Sequence, residues 1–353
     1  MNMPDKALDL SRTRERDQRT DGHLDNYVGH RAKLGVIIPS TNTAVEYDCQ
    51  RIIPRGVTWH FSRFMIEHAD LSDDENFMKF LDMLRQTIGA SIASLMTCKP
   101  DHVMMGMSAE TFWGGIKGND GFVDRIQEAV GSDTGLTTGA NAVIAALEAL
   151  GIAGNTGKNI AVITPYQPIG DKNVRLFFED SGYNVKHVVG LRCENAHDAI
   201  ALLPDQKVMD VVRQVDGDDI DAIIQVGTNL STADFFPVVE KWLAKPVLPI
   251  NIATVWHALR SCGIRDQYDH LGRLFEERVV RRHMWIALRK LRYQGDYTFL
   301  LEADNGRVRL RDMDGPVYTN PRLGPAVTFL RDIGLLNAEG LTAEGSRVVG
   351  GTA

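Results

Sequence analysis

Seven short runs in this chain are almost wholly apolar, and they alternate with longer stretches of helical periodicity. They are KLGVIIP (33–39), VTWHFSRFMI (57–66), DHVMMGM (101–107), NIAVITP (159–165), YNVKHVVGL (183–191), DAIIQVG (221–227) and PVLPIN (246–251). A strand wetted on one face alternates apolar with polar residues, whereas a nearly all-apolar strand must be covered on both faces. The pattern therefore predicts an α/β fold, with parallel sheets sandwiched between helices. Helical spacing predicts helices over Glu75–Thr97, Ala140–Leu150, Asn173–Asp180 and Phe236–Leu243.

The chain also resembles itself. GVIIPSTNT (35–43) answers to AVITPYQPI (161–169), and DHVMMGMSAETF (101–112) to DAIIQVGTNLSTADFF (221–236). LTTGANAVIAALEALGI (136–152) answers to LPINIATVWHALRSCGI (248–264). Shared α/β composition is the alternative explanation, but the repeat favours two related halves. Their equivalent strand ends would then face each other across a cleft, and in open α/β sheets ligands bind beyond the carboxyl ends of strands. The expected organisation is a flexible N-terminal arm (1–32), a first half (33–140, with 250–275 returning to it), a second half (141–249) and an appended C-terminal module (276–353). That module reads as a helix, a hairpin around EADNGRVRL with Asn305-Gly306 at its turn, and a short helix. Oligomerisation or covering the cleft is its expected role.

Composition narrows the partners. A formal net charge of -7 supplies no broad cationic surface, so no nucleic-acid partner is expected. The one basic cluster, RRHMWIALRKLR (281–292), reads as a solvated helix face or partner surface in preference to a phosphate site. Cys49, Cys98, Cys193 and Cys262 are scattered without metal-type spacing, which suits reduced thiols in the cytoplasm. His60, His68 and His102 likewise lack the spacing of a zinc site. The N-terminus has no apolar signal core, and no stretch approaches the ~20 apolar residues of a membrane span.

Several of these motifs carry a resemblance. GVIIPSTNT, GMSAETFWGG, TGANAVIAALEALGI, VITPY, the run from Asp221 to Arg260 and YDHLGRLF together resemble the aspartate/glutamate racemase superfamily. The most similar branch is that of maleate cis-trans isomerase and arylmalonate decarboxylase, and the resemblance covers roughly residues 33–275. It implies two flavodoxin-like halves with pseudo-twofold symmetry and one small-carboxylate site between them. It also implies no metal or organic cofactor, and a homodimer or homotetramer. Racemases and isomerases of the superfamily use a cysteine at each of two strand ends, and the decarboxylase keeps only the second. Carried onto this chain those positions fall at Gly106 and Gly227.

Both being glycine, thiol chemistry is removed from the expected site. Racemisation needs an acid and a base flanking one carbon, and covalent addition to maleate needs a thiolate. Glycine supplies neither, yet it lets main-chain N–H groups approach a carboxylate or an oxyanion. Asn42, Thr43, Gly106, Met107, Gly227, Thr228 and Asn229 are the expected substrate-binding residues, although Asn and Thr after a strand equally cap the next helix. Tyr166 resembles a substrate-contacting tyrosine of the decarboxylase branch, with turn packing as the alternative. Glu110 is the carboxylate nearest a strand end and a candidate acid/base, or else an ordinary helix-start glutamate. Ser108 is a candidate nucleophile or a cap, and His257 a proton carrier or a satisfied core histidine.

Three functional readings follow. The first is thiol-independent hydrolysis or bond cleavage of a small carboxylate or of a hydantoin-like ring, a thiohydantoin included, with water activated by Glu110 or His257. The second is maleate isomerase or arylmalonate decarboxylase-type chemistry with another residue in place of cysteine. The third is a ligand-binding regulator without catalysis.

Overall fold

The computed structural model describes residues 28–67, 70–268 and 270–276, and beyond them the backbone of 300–304, 307–311, 318–319, 336–337 and 340–341. The chain divides into two compact units, Met1–Glu276 and Glu277–Ala353. The first contains two four-stranded sheets, parallel throughout. One is ordered β2-β1-β3-β4, from β1 (Ala32–Pro39), β2 (Val57–Phe64), β3 (His102–Met105) and β4 (Gly135–Thr137). The other is ordered β6-β5-β7-β8, from β5 (Asn159–Thr164), β6 (Asn184–Gly190), β7 (Ala222–Gln225) and β8 (Val247–Pro249). The same order occurs twice, and every internally matched sequence pair falls on equivalent strands. The expected α/β architecture of two similar parallel-sheet halves is therefore the observed one.

Burial explains the apolar strands. Leu34, Val36, Ile37 and Ile38 on β1, and Ile160 to Ile163 on β5, are fully buried, as central strands covered on both faces must be. Each such large side chain contributes about 1.5–3 kcal/mol. Helices α1 (Ala44–Gln50), α2 (Asp74–Met96), α3 (Gly115–Val130) and α4 (Gly139–Ala149) belong to the first half. Helices α5 (Pro168–Asp180), α6 (Asp198–Ala201), α7 (Asp205–Val215) and α8 (Phe236–Leu243) belong to the second. On α2 the buried residues Phe77, Phe80, Leu81, Leu84, Ile88, Ile92 and Leu95 recur every three or four positions, the spacing of one helical face. Asp73 starts that helix by accepting a hydrogen bond from the Asn76 N–H at 2.8 Å.

Among the boundaries that differ from the sequence reading, two have a clear local cause. The run PVLPIN is a strand only to Pro249, because α9 (Ile250–Ser261) begins at the next residue. Helix α5 starts five residues earlier than expected, since Pro168 suits a first helical turn. After leaving β8, α9 packs on α4, β3 and β4 of the first half, and the short α10 (Arg273–Glu276) follows.

The second unit contains an antiparallel sheet ordered β11-β10-β9, from β9 (Leu300–Asp304), β10 (Arg307–Arg311) and β11 (Tyr318–Thr319). Strands β12 (Leu336–Asn337) and β13 (Gly340–Leu341) form an antiparallel pair. Asp304 stands opposite Arg307, as an expected hairpin requires, although the turn dipeptide Asn305-Gly306 lies outside the described residues. The expected N-terminal arm up to residue 27, the basic helix 281–292 and the last helix also lie outside them. Among the described residues, no helix is long and apolar enough to cross a membrane.

Candidate active site

Four strands deliver their carboxyl ends to one cleft. Strands β1 and β5 both stop at a proline, Pro39 and Pro165, whose missing N–H cannot continue the ladder. Strands β3 and β7 stop just before the glycine-containing turns at 106 and 227. The residues after these ends line a cleft of about 490 Å³, counting the solvent at its mouth. Thr41 and Asn42 come from β1, Met107 and Ser108 from β3, Tyr166 from β5, and Gly227, Thr228 and Asn229 from β7. The rest of the lining is largely apolar and includes Leu71, Phe77, Phe80, Leu84, Ala196 and Ile200. Leu71 and Ala196 belong to loops that follow the equivalent strands β2 and β6. These loops pair across the halves through an antiparallel bridge, Asp70 to Asn195, with the Leu71 N–H donating to the Glu194 carbonyl at 2.7 Å.

On the polar wall, Ser108 Oγ lies 2.6 Å from the Tyr166 hydroxyl and accepts the Thr228 N–H at 3.2 Å. Two hydroxyls carry two protons, and their mutual bond uses one. The other is left to donate into the cleft, whichever residue holds it. Burial pushes the Tyr166 phenol well above its ordinary range, so it stays protonated. The Phe77 ring packs on the phenol in a T-shaped contact, at 5.6 Å between centroids.

The asparagines act differently from expectation. Asn42 Oδ1 accepts the Ala44 and Val45 N–H groups at 3.1 and 2.9 Å, capping α1, while its Nδ2 donates to Thr228 Oγ1 at 3.2 Å. Asn229 Oδ1 accepts the Thr43 N–H at 2.9 Å, and its Nδ2 donates to the carbonyls of Ala196 and Thr41 at 3.0 and 3.4 Å. Both amides therefore clasp the two halves together, and Thr43 does not line the cleft. Among the described residues, no acceptor takes the main-chain N–H of Thr41, Met107, Ser108, Gly227 or Asn229. These donors, together with the hydroxyl pair, are what the cleft offers an anion.

The two glycines are not counterparts in register. Met105 pairs with Ile37 and Gln225 with Ile163, so Gly106 corresponds to Val226 and Met107 to Gly227. Gly106 accordingly lies beneath the cleft, where a Cβ would run into Ile38 and Val45, and Met107 reaches the cleft in its place. The loops still touch, since Thr228 Oγ1 donates to the Gly106 carbonyl at 3.2 Å. No cysteine is among the lining residues.

Neither expected water activator faces the cleft. Glu110 is buried in the 3-10 turn Ala109–Phe112, where Arg85 Nε and Nη2 hold its carboxylate at 2.7 and 3.1 Å. A carboxylate gripped by a guanidinium fork has its oxygens already engaged in charge-assisted hydrogen bonds. His257 stands on α9, with Thr137 Oγ1 2.8 Å from its Nδ1 and 2.7 Å from His102 Nε2. Burial lowers His257 to about 4, and burial plus the adjacent His257 lowers His102 to about 3, so both rings are neutral core groups. The sequence reading missed the apolar wall. Phe77, Phe80 and Leu84 were readable as a helical stripe, but spacing alone cannot separate a cleft-facing stripe from a core-facing one. Among the described residues, no group of three or more His, Cys, Asp or Glu side chains could hold a metal ion.

Known structures share this fold. Maleate cis-trans isomerase from Nocardia farcinica, solved as a mutant with a covalently bound succinylcysteine intermediate, is 20% identical with a TM-score of 0.60. That alignment covers 69% of this chain and 98% of the isomerase. Maleate isomerase from Pseudomonas putida S16, solved with maleate, gives 21% and 0.60, covering 69% of this chain and 96% of that one. A mutant of arylmalonate decarboxylase in liganded form gives 23% and 0.55, covering 69% and 99%. No curated protein matches the sequence. Residues 34–275, well over half of the chain, match the family model for arylmalonate decarboxylase, and the chain accordingly belongs to the arylmalonate decarboxylase family.

Proposed function

We propose that this protein is a thiol-independent lyase that removes CO2 from a malonate-type dicarboxylate bearing an apolar substituent. The observation that carries this reading is the two-sided cleft, polar at the β1, β3, β5 and β7 ends and apolar along α2. One carboxylate would be held by the free main-chain N–H groups and the Ser108–Tyr166 hydroxyl pair. The other would lie against Phe77, Phe80 and Leu84, where a charged carboxylate is poorly solvated and neutral CO2 is not. As the C–C bond breaks, its electron pair passes to the α-carbon and delocalises onto the retained carboxylate as an enediolate. The N–H donors stabilise that charge. A proton from the hydroxyl pair, replaced from solvent, then closes the α-carbon as C–H.

Isomerisation of maleate by covalent addition stands behind this reading, because the cleft holds no nucleophilic sulfur. Hydrolysis of a hydantoin or thiohydantoin ring stands further back, since Glu110 and His257 lie away from the cleft. The test is incubation of the purified protein with phenylmalonate, maleate, hydantoin and thiohydantoin, following CO2 and products. Equimolar phenylacetate and CO2 support the proposal. Fumarate or ring-opened products would transfer it to one of the other reactions, and phenylmalonate binding without turnover would make the protein a ligand-binding regulator. Light scattering on the same sample reads the homo-oligomeric state that the resemblance implies.

A further inference from the structure

One buried carboxylate has no part in that chemistry. Asp48, on α1, is 1% exposed and sits beneath the β7 end of the cleft. Its Oδ1 accepts from Ser231 Oγ at 2.9 Å, and its Oδ2 accepts from Asn251 Nδ2 at 2.6 Å. The same Nδ2 donates its second hydrogen to the Thr228 carbonyl at 2.9 Å. Asp48 therefore reaches the Thr228–Asn229 peptide through a single amide.

The consequence follows from peptide geometry. No cis peptide bond is present, so the Thr228 carbonyl and the Asn229 N–H, which share one peptide plane, point in opposite directions. Asn251, itself 5% exposed, holds the carbonyl on the interior side, that of the buried Asp48. The Asn229 N–H therefore points away from that interior side; Asn229 lines the cleft, and its N–H is one of the donors with no acceptor among the described residues. A hydrogen bond to a peptide carbonyl polarises the whole unit and strengthens its N–H as a donor, more so when the donating amide is itself held by an ionised carboxylate.

We propose that Asp48 is a positioning residue that, through Asn251, aims and polarises the Thr228–Asn229 peptide as an anion-binding donor of the cleft. The idea rests on the decarboxylase reading for its role in turnover, but not for its role in binding. The charged groups facing Asp48 are Arg51, which follows the last residue of its own helix, and Asp234 on the loop after β7, paired with each other at 2.6 Å. Asn251 and Ser231 are its uncharged neighbours. Burial raises the Asp48 carboxyl to about 6, against the opposing pull of Asn251, Ser231 and Arg51, so its ionisation falls within an accessible pH range.

The experiment titrates the full-length protein with phenylacetate between pH 5 and 8, for wild type, Asp48→Asn and Ser231→Ala. Wild type should bind more weakly as the pH falls through about 6. Asp48→Asn should bind about tenfold more weakly at pH 8, with that pH step abolished. Ser231→Ala removes a hydrogen bond that favours the charged carboxyl, so the step should move to higher pH. A purely structural role would leave the step in place in every folded variant. Unchanged affinity and an unchanged step in Asp48→Asn would overturn the proposal, as would phenylacetate ignored by the wild type. Should Asp48→Asn fail to fold, an unmoved step in Ser231→Ala would overturn it. Phenylmalonate turnover on the same samples separates the two ideas: binding that behaves as described without turnover sinks the decarboxylase reading and leaves the Asp48 assignment standing.

Discussion

A Cβ placed on Gly227 would stand 2.5 Å from both Cγ and Cδ of Pro165. The two residues close the strand ends β7 and β5, and the proline ring occupies the volume that a side chain at 227 would need. Gly227 also has φ +105°, a conformation that residues with a Cβ rarely adopt. The glycine at the expected cysteine position is thus built into its surroundings. Gly227→Cys should cost about 1–3 kcal/mol through overpacking and backbone strain, and should yield no maleate isomerase activity. Adding Pro165→Ala should recover part of the loss in melting temperature. Calorimetry and thiol titration with a chromogenic disulfide check both; a Gly227→Cys protein as stable as wild type would contradict the steric account.

The Ser108–Tyr166 pair leads to a second expectation. Tyr166→Phe keeps the edge contact with Phe77 while removing the hydroxyl, and Ser108→Ala removes its partner and the acceptor of the Thr228 N–H. Each should lower kcat on phenylmalonate about 100-fold if the pair supplies the proton. The double variant should lose little more than either single one, because the two hydroxyls act as a unit. Additive losses measured by steady-state kinetics would mean that the two groups act separately.

Glu110 and His257 should behave as core residues. Glu110→Gln removes the buried charged partner of Arg85, leaving it only the exposed Asp82, and should cost about 1–3 kcal/mol of stability with kcat nearly unchanged. His257→Ala should likewise lower the melting temperature through the loss of its Thr137 contact. A large drop in kcat with wild-type melting would return either residue to the list of proton carriers.

The sequence announced the fold more clearly than the site, and the reason is physical. Runs such as GVIIP and AVITP report burial on both faces directly, and their matched order reports two sheets built alike. Gly227, Thr228, Ser108 and Tyr166 follow strand ends, so topology alone brings them to one cleft. Which atoms of Asn42 and Asn229 remain available is a different kind of fact. It depends on partners some 186 residues away in sequence, as between Asn42 and Thr228, and such pairings leave no local periodicity. The engagement of Glu110 is hidden for the same reason, because its partner Arg85 lies on a helix whose charged face looks merely solvated in sequence.

Asp48 supplies the last prediction, and here the sign decides the test. Burial raises its carboxyl from the ordinary 3.8 to about 6, so between those values the folded protein binds more protons than the unfolded chain. Stability contributed by this group therefore falls as pH rises from 3.8 to 6, and the ionised carboxylate remains a burden above that range. A shift of about two pH units corresponds to about 3 kcal/mol at most. His102 and His257 act in the opposite sense: lowered to about 3 and about 4, they make the folded state bind fewer protons, and stability falls as pH drops below 6.5. The two trends overlap in wild type, but the histidine contribution is common to wild type and Asp48→Asn and cancels in their difference. That difference in unfolding free energy should favour Asp48→Asn by roughly 1–3 kcal/mol at pH 8 and shrink towards zero by pH 4. Denaturant melts at both pH values measure it directly. A variant less stable than wild type at pH 8 would show that the buried charge is a net support for the fold and not a cost retained for the cleft.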